Sequence, residues 1–204
     1  TVVLTNHQTK GRGQQGAVWQ SAANKSLSFS VFKAFDSLSI TKVSSLAFAV
    51  SLGLVKALEK FQIPDISIKW PNDIMSQSKK MAGILIENKI KQGQIVSSVI
   101  GIGLNVNQTL FPDSLKNATS LKNVLKKDFN LENLLGELVK SIQKEINACL
   151  PQHFKKAKSR YLEALYKNNV PSMFQTDDKV PFMAKIIGVS ASGRLQLVLT
   201  NEEV

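Results

Sequence analysis

The sequence predicts an α+β fold, because strand patterns lie next to one another along the chain and helical patterns are grouped. Alternating apolar residues and β-branched runs predict strands over residues 2–6, 27–35, 66–70, 81–89 and 95–107. Helical patterns predict one helix between the second and third of these strands and two more helices after the fifth. A doubly wound parallel sheet would instead need strands and helices in regular alternation.

The three predicted helices differ in how clearly their ends are marked. The first covers residues 46–61 and is expected to stop before Pro64, since proline cannot continue a helix. The second covers residues 131–146, with Asn130 as its N-cap. The third covers residues 154–166. The first two present one apolar stripe, so each is expected to pack on the sheet or on another helix.

A change of pattern near Asn168 predicts a domain boundary. Strand patterns return beyond it, with a turn expected at Ala191-Ser192-Gly193. We therefore expect a main domain over residues 1–168 and a small β domain over residues 169–204.

Composition limits the classes of protein to which the chain can belong. Of its 204 residues 43% are hydrophobic, which suffices for a packed core. No uninterrupted apolar run is long enough to cross a bilayer, and no signal-peptide pattern follows Thr1, so no membrane partner is expected. The lone Cys149 cannot form an intrachain disulfide, and with two histidines it cannot build a typical zinc site. A reducing, cytoplasmic compartment is the simplest expectation.

The formal net charge of +11 predicts attraction to phosphates, acidic proteins or nucleic acid. The charge is spread along the chain, with short lysine runs only at 126–127 and 155–158. Such runs are typical of solvated helix faces. Charge alone therefore favours no particular anionic partner.

A glycine motif lies in the polar stretch after the first strand. The hexapeptide Gly11-Arg12-Gly13-Gln14-Gln15-Gly16 matches G-x-G-x-x-G, and Asp36 ends the next predicted strand as a dinucleotide-binding unit would require. However, residues 17–26 lack the apolar helical face that such a unit needs, and no kinase or Walker motif follows. A mobile surface loop is the simplest interpretation, in which Arg12 and nearby backbone N–H groups order around an anion.

Three further segments combine charge with strand ends. In Lys69-Trp70-Pro71-Asn72-Asp73 a strand runs into a turn, and Lys80 marks the start of the next predicted strand. In residues 101–107, Gly101, Gly103, Asn105 and Asn107 share one strand face, and the two glycines leave a flat trough against backbone. The pattern predicts an anion-binding cleft, with Asp73 and Asn105 as oxygen donors for Mg²⁺ or as partners of phosphate groups.

Together these motifs resemble the successive signatures of biotin–protein ligases. The glycine motif with Trp19, the Lys69–Asp73 segment, Lys80 with Ala82-Gly83-Ile84-Leu85, and Gly101–Asn107 occur in that family's order and spacing over about residues 8–107. Lipoate ligases share the fold but not the K-W-P-N-D set. The resemblance covers half of the chain, and the remainder carries no comparable signature.

The resemblance implies a class II aminoacyl-tRNA synthetase-like catalytic domain followed by an SH3-like β domain, as a catalytic core without a DNA-binding domain. It implies that biotin and ATP, with Mg²⁺, give biotinyl-5′-AMP, and that a lysine of a biotin carboxyl carrier protein then takes the biotin. A homodimer is common in the family, but no residue here establishes one.

The resemblance also implies roles for individual residues. Lys80 and Arg12 would be catalytic, since a carboxylate attacking a phosphate needs positive charge at the reacting centre. Biotin or the adenylate would be bound by Gln8, Gly11, Arg12, Gly13, Trp19, Lys80, Gly83, Gly101 and Gly103. The nucleotide and its phosphates would be bound by Lys69, Asn72, Asp73 and Asn105, with Asp73 and Asn105 as the Mg²⁺ ligands.

Two departures from the family pattern lead to expectations of their own. Gln14 stands where the family usually has arginine, so retention of the adenylate is expected to be looser or to depend on other groups. The chain begins within a strand pattern at Thr1, without an initiator Met, and the family's Ser-Thr-Asn-type segment would precede it. We therefore expect an N-terminal part to be missing and biotin affinity to be impaired.

Two other functions stay open at this point. A biotin-dependent repressor would need a helix-turn-helix domain, and these residues contain none, so no specific DNA binding is expected. A lipoate or octanoyl ligase would share the fold and differ in the acid that it activates.

Overall fold

The computed structural model describes residues 1–36, 38–149 and 153–200. Its strands are, in chain order, β1 (Val2–Thr5), β2 (Gly11–Arg12), β3 (Val18–Trp19), β4 (Ser26–Ala34), β5 (Ser67–Lys69), β6 (Asp73–Ser76), β7 (Lys79–Lys91), β8 (Gln94–Asn105), β9 (Ser172–Gln175), β10 (Pro181–Val189) and β11 (Leu195–Leu199). Its α-helices are α1 (Val43–Glu59), α2 (Leu121–Leu125), α3 (Leu131–Cys149) and α4 (Phe154–Glu163). The predicted α+β class is confirmed.

The strands form a large antiparallel sheet and two small ones. The large sheet has the order β1-β4-β8-β7-β6-β5, the second has the order β11-β10-β9, and β2 pairs with β3. On one face of the large sheet, side chains such as Ile84 and Ile102 share a core with α1 and α3. Ile186 and Val189 of the small C-terminal sheet are buried in the same core. The opposite face of the large sheet carries the polar and glycine-rich residues described below.

The predicted helices agree with the structure to within three residues at each end. The Oδ1 of Asn130 accepts a hydrogen bond from the backbone N–H of Asn133 at 2.9 Å, which confirms the predicted N-cap. The third helix was expected to reach Tyr166 but ends at Glu163. Its continuation is prevented because the Tyr166 N–H donates to the carbonyl of Ile68, so the chain joins β5 instead. Backbone pairing with a distant strand is not visible in local apolar spacing.

The polar stretch over residues 8–26, whose glycine motif was expected to be a mobile loop, contains the β2–β3 pair. Three further elements were not predicted: β6, β9 and α2. Each spans only four or five residues, too few to establish a strand or helix period. The boundary expected near Asn168 falls where the chain passes from α4 towards β9, and residues 201–204 of the expected second domain lie outside the described part.

One helical segment among the described residues is long and apolar enough to span a bilayer by composition. It is Ile40–Glu59, whose mean hydropathy is 1.4, although serines and two lysines, Lys42 and Lys56, interrupt its apolar run. About two thirds of it, 67%, is buried inside the protein. Because α1 packs against α3, α4 and the sheet, its apolar character is that of a central core helix.

The three long helices are tied together by a buried carboxylate. Glu145 of α3 is 2% exposed and lies 2.6 Å from Lys56 Nζ of α1 and 2.8 Å from Arg160 of α4. Burial is the largest influence on this carboxyl and opposes its ionisation, but hydrogen bonds from Arg160 and Lys56 outweigh it and lower the pKa of Glu145. The charge therefore stays paired within the helical layer.

Close packing of α1 on α3 depends on a glycine, and this leads to a stability prediction. A Cβ placed on Gly53 would lie 2.6 Å from the Cα of Ile142, so the helices must separate. We expect Gly53→Ala to lower the free energy of unfolding by an amount at the upper end of roughly 1–3 kcal/mol. Urea unfolding measures this change.

Gly136 supplies the matched control for that prediction. It also lies within a helix, α3, but a Cβ there has no neighbour within 4 Å. Gly136→Ala should raise the free energy of unfolding by up to about 1 kcal/mol through helix propensity alone. Equal effects of the two alanines would show that the helix contact does not require Gly53.

Candidate functional site

Short side chains line up across the open face of the large sheet. In the strand register, Thr5 pairs with Ser28, Ser28 with Gly103, Gly103 with Gly83, and Gly83 with Asp73. Neighbouring residues in such a row have side chains on the same face of a sheet. The row therefore begins with hydroxyls at β1 and β4, passes over two glycines and ends at a carboxylate on β6.

The two glycines of this row form a trough, and the Trp19 indole lies in it. A Cβ added to Gly103 would be 2.7 Å from Trp19 Cδ2 and closer still to Cε2, so only glycine permits this contact. At Gly83 the added Cβ would be 3.6 Å from Trp19 Cζ3. The indole N–H is buried and has no hydrogen-bond partner among the described residues. Trp19 is thus placed by packing against backbone, and its polar group is left for a further partner.

The predicted glycine loop is a small hairpin that carries Trp19 and Arg12. Gly11 pairs with Trp19 and Arg12 with Val18, and a Cβ on Gly11 would collide with the Trp19 carbonyl. The tip is closed by a 2.6 Å bond from the Gly13 N–H to the Ala17 carbonyl. The hairpin also needs left-handed backbone at its tip, with φ of +79° at Gly16. The glycines therefore set the turn and the close approach of the tryptophan strand.

Arg12 extends from this hairpin to the rim of the trough. One of its guanidinium nitrogens lies 3.3 Å from Oε2 of Glu87 on β7, and both side chains are at least half exposed. An ion pair in that environment contributes little to stability. Arg12 is consequently held near the trough by a contact that an anionic ligand can readily replace.

Lys80 and Asp73 form the second charged group of the site. Their Nζ and Oδ1 atoms are 2.7 Å apart, and the side chains are 38% and 20% exposed. The backbone of Lys80 is fixed on both sides, since its N–H donates to the Asn117 carbonyl and its carbonyl accepts from Thr119 N–H. Lys80 Nζ also lies 6.0 Å from the Trp19 ring centroid, within cation–π range.

The turn that carries Asp73 is fastened to β7. Its Trp70–Pro71 peptide bond is cis. The side-chain amide of Asn72 donates to the Ile84 carbonyl at 2.9 Å, and the Ile84 N–H donates back to the Asn72 carbonyl at 2.9 Å. Asn72 therefore fixes the entry into β6, and with it the direction from which Asp73 meets Lys80.

These elements enclose a cavity of about 430 Å³. Most residues predicted for the site line it: Gln8, Arg12, Gly13, Trp19, Asn72, Asp73, Lys80, Gly83, Gly101 and Gly103. Gln14, which stands where the ligase pattern has arginine, also lines it.

Three predicted site residues lie outside the cavity lining. Gly11 is buried within its hairpin, and Lys69 is exposed opposite Asp73 on the β5–β6 hairpin. Asn105 is 3% exposed, and its Nδ2 donates to the Thr119 carbonyl at 3.1 Å while its Oδ1 has no partner in the described structure. Of the two predicted Mg²⁺ ligands, only Asp73 lines the cavity. The described residues contain no cluster of three or more His, Cys, Asp or Glu side chains that could hold a metal.

Several lining residues were not singled out from the sequence. Ser28 and Ser30 of β4 lie on the cavity face, and Glu87 of β7 faces Arg12. Ser28 Oγ is buried and has no hydrogen-bond partner in the described part of the chain. The alternating serines in Ser26–Ala34 were a signal for a polar strand face and could have identified Ser28. The partner of Arg12 had no such signal, because 75 residues separate it from Glu87.

The arrangement suits a ligand with a flat, mostly uncharged part and an anionic part. Backbone and small side chains form the floor, an indole covers part of it, and two cations stand at the rim. The buried hydroxyl of Ser28 and the indole N–H of Trp19, which have no partner among the described residues, can give directional hydrogen bonds to polar groups of the ligand. A cationic rim in a partly enclosed site strengthens the attraction of an anion because solvent screening is reduced there.

Comparison with known proteins agrees with this chemistry. The chain matches the family model "Biotin/lipoate A/B protein ligase family" over residues 1–105. It is 30% identical over 207 residues to the bifunctional ligase/repressor BirA of Bacillus subtilis, covering all of this chain and 63% of that protein. A biotin–[acetyl-CoA-carboxylase] ligase of Mycobacterium tuberculosis is 32% identical over 124 residues, which are 59% of this chain and 44% of that protein. The chain thus spans less than two thirds of the length of these relatives.

Among solved structures, the biotin protein ligase from Aquifex aeolicus in complex with biotin and ATP superimposes with a TM-score of 0.77 at 28% identity. The match covers 98% of this chain and 86% of that one. The mixed fold with its large antiparallel sheet is therefore that of biotin protein ligase structures. Because the family model spans the first half of the chain, including every element of the cavity, the chain belongs to the biotin/lipoate A/B protein ligase family.

Proposed function

We propose that the chain is an ATP-dependent biotin–protein ligase. It would form biotinyl-5′-AMP from biotin and ATP and transfer biotin to a lysine of a biotin carboxyl carrier protein, as in acetyl-CoA carboxylase or a related carboxylase. The observation that supports this best is the cavity itself, in which a glycine trough with an indole cover leads to Lys80 and Arg12. The name of the Aquifex structure, a complex with biotin and ATP, is consistent with both substrates.

In the first half-reaction the carboxylate oxygen of biotin attacks the α-phosphorus of ATP. The new bond joins carboxylate and phosphorus, the bond from phosphorus to the bridging oxygen breaks, and pyrophosphate leaves. Because two anions approach one another, the barrier falls if fixed positive charge stands where negative charge accumulates. Lys80 Nζ supplies that charge from the trough edge, held 2.7 Å from Asp73.

Arg12 supplies a second positive charge when its hairpin folds over the ligand. It would exchange the exposed Glu87 for a phosphate oxygen, which offers the guanidinium a stronger, charge-assisted contact. Closure of the hairpin also excludes water, which protects the mixed anhydride from hydrolysis. Gln14 lies at the same cavity and can donate a hydrogen bond but no charge.

In the second half-reaction the uncharged amine of the carrier lysine attacks the acyl carbon. The new carbon–nitrogen bond replaces the bond to the phosphate oxygen, and AMP leaves. Lys80 balances the charge that returns to the departing phosphate. The amine's proton passes to solvent at the open side of the cavity.

Mg²⁺ accompanies ATP in this proposal and would neutralise phosphate charge. The hard oxygen of Asp73, at the cavity wall, suits that ion, and the buried Oδ1 of Asn105 is an unpaired amide oxygen farther along β8. Magnesium commonly takes one or two protein oxygens and completes its shell with phosphates and water.

The domain architecture, the cellular compartment and the charge of the carrier protein are part of the same proposal. The large sheet with its helices would be a class II synthetase-like catalytic domain over residues 1–168, and the β9–β11 sheet would be an SH3-like domain within residues 169–204. A cytoplasmic location fits a chain with one cysteine. Net positive charge suits an acidic carrier protein.

The acid that the chain activates distinguishes the proposal from its neighbours within the fold. The chain is incubated with ATP, Mg²⁺ and biotin, lipoate or octanoate, and acyl-adenylates are identified by mass spectrometry. A carrier domain is then added, and modification of its lysine is measured. We expect biotinyl-AMP and a biotinylated carrier. Lipoyl or octanoyl adenylate in its place would overturn the assignment.

A further inference from the structure

The small C-terminal sheet contacts the segment that carries Asp73, through a single turn between β10 and β11. This turn, residues 190–194, is closed by hydrogen bonds from the Gly193 N–H to the Ser190 carbonyl and from the Ser190 N–H to the Arg194 carbonyl. Gly193 has a φ of +87°, a conformation that side chains rarely adopt. The tight turn leaves backbone carbonyls pointing outward, where they can accept hydrogen bonds from the rest of the protein.

Two carbonyls of this turn accept hydrogen bonds from the large domain. The indole N–H of Trp70 donates to the Gly193 carbonyl at 2.9 Å. The hydroxyl of Ser44, in the first turn of α1, donates to the Ala191 carbonyl at 2.7 Å. Val189, at the base of the turn, is 1% exposed within the common core. The turn is therefore a rigid support and not a loosely attached loop.

Of these two donors, only Trp70 continues into the site. Cis-Pro71 follows it, then Asn72 with its paired bonds to Ile84, then Asp73 with its ion pair to Lys80. Ser44 belongs to α1 and does not line the 430 Å³ cavity. The two hydrogen bonds thus hold the same turn, but only the bond of Trp70 restrains the segment on which Asp73 depends.

We propose that Trp70 is a positioning residue, which transmits the rigidity of the 190–194 turn to the Asp73–Lys80 pair. The C-terminal sheet then contributes to the chemical step without touching the reacting atoms. This inference rests on the proposed ligase function. It adds that the first half-reaction depends on the indole N–H of Trp70, which bonds to the 190–194 turn and does not line the cavity.

Trp70→Phe tests the proposal, with Ser44→Ala as the matched control. Each change removes one donor to the same turn and keeps most of the packing. We expect Trp70→Phe to lower kcat of biotin-dependent pyrophosphate exchange roughly tenfold with little change in the KM for biotin, since a displacement of reacting groups by a fraction of an ångström is costly. Ser44→Ala should keep kcat within about twofold, while it lowers the melting temperature about as much as Trp70→Phe does.

Two measurements identify the route of the effect. Hydrogen exchange of the Ile84 amide, which is bonded to the Asn72 carbonyl, should be faster in Trp70→Phe and unchanged in Ser44→Ala. In a Lys80→Ala background, Trp70→Phe should cause no further loss, because both changes act on one group.

Equal kcat in the two variants, or additive losses in the double variant, would overturn the positioning role. Hydrogen exchange of the Ile84 amide stays informative if activity is low. Faster hydrogen exchange in both variants alike would also contradict the positioning role of Trp70. Absence of biotin-dependent exchange in the unmodified chain would instead contradict the proposed ligase function. The two failures are thereby distinguishable.

Discussion

Lys80→Ala is expected to reduce biotinyl-adenylate formation by roughly 100–1,000-fold, the usual cost of removing a preorganised charge from a reacting centre. The variant also leaves the Asp73 carboxylate without its ion-pair partner at 2.7 Å, so an uncompensated negative charge would face the incoming phosphates. Both effects oppose the approach of two anions. Biotin-dependent pyrophosphate exchange at saturating substrates measures the loss.

Lys79 provides the control for this experiment, since it is the preceding residue, carries the same charge and lies outside the cavity lining. Lys79→Ala removes one unit of net charge but should keep the exchange rate within about twofold, because an exposed charge outside the cavity is screened. A rate near that of the unmodified chain in Lys80→Ala would remove Lys80 from the chemistry. Similar losses of exchange rate in both variants would show that Lys80 acts only through its contribution to the net charge.

Gly103→Ala is the second substitution with a large expected effect. The new methyl would occupy space held by the Trp19 indole, with Cδ2 only 2.7 Å away, so the β2–β3 hairpin must move. We expect adenylate formation to fall roughly 100-fold, as displacement of a site by about an ångström does. The free energy of unfolding should fall by roughly 1–3 kcal/mol from overpacking.

Gly83→Ala and a double-mutant cycle check that interpretation. At Gly83 the added Cβ meets only the flexible end of Lys80 at 3.4 Å and Trp19 at 3.6 Å, so its stability cost should be smaller. In a Trp19→Ala background the stability cost of Gly103→Ala should largely disappear, because the colliding ring is gone. A cost that persists there would mean that Gly103 is required for another reason.

Much of the fold could be predicted from local patterns. The long strands β7 and β8 were predicted within a few residues, because their alternating apolar residues continue over many positions. The Asn130 N-cap was predicted because its hydrogen bond spans only three residues. By contrast, the early end of α4 at Glu163 depends on pairing with Ile68, which no local signal reveals.

Some features of the site could likewise be predicted from local sequence patterns, and others could not. The shared face of Gly101 and Gly103 follows from parity along one strand, and the structure places both glycines at the cavity, where Gly103 forms the trough with Gly83. The position of Trp19 inside that trough depends on how the β2–β3 hairpin meets the sheet, so spacing alone could not predict it. The contacts of Arg12 with Glu87 and of Trp70 with Gly193 join residues 75 and 123 positions apart. Such contacts exist only in the folded chain.

The roles assigned to individual residues are supported to different degrees, because some of these residues line the cavity and others do not. Lys80, Asp73 and Arg12 are brought to one cavity with measurable contacts between charged atoms. The roles of Lys69 and Asn105 in nucleotide binding stay predictions, and neither residue lines the cavity. Their substitution by alanine separates direct contact from support, since a residue that contacts ATP should change its KM.

If this cavity activates biotin with ATP as proposed, labelled pyrophosphate should exchange into ATP in the presence of biotin. The unmodified chain is assayed with ATP, Mg²⁺ and labelled pyrophosphate, with biotin present or absent, and with lipoate in its place. We expect incorporation of label into ATP only when biotin is present. Exchange that is independent of biotin, or that requires lipoate instead, would contradict it.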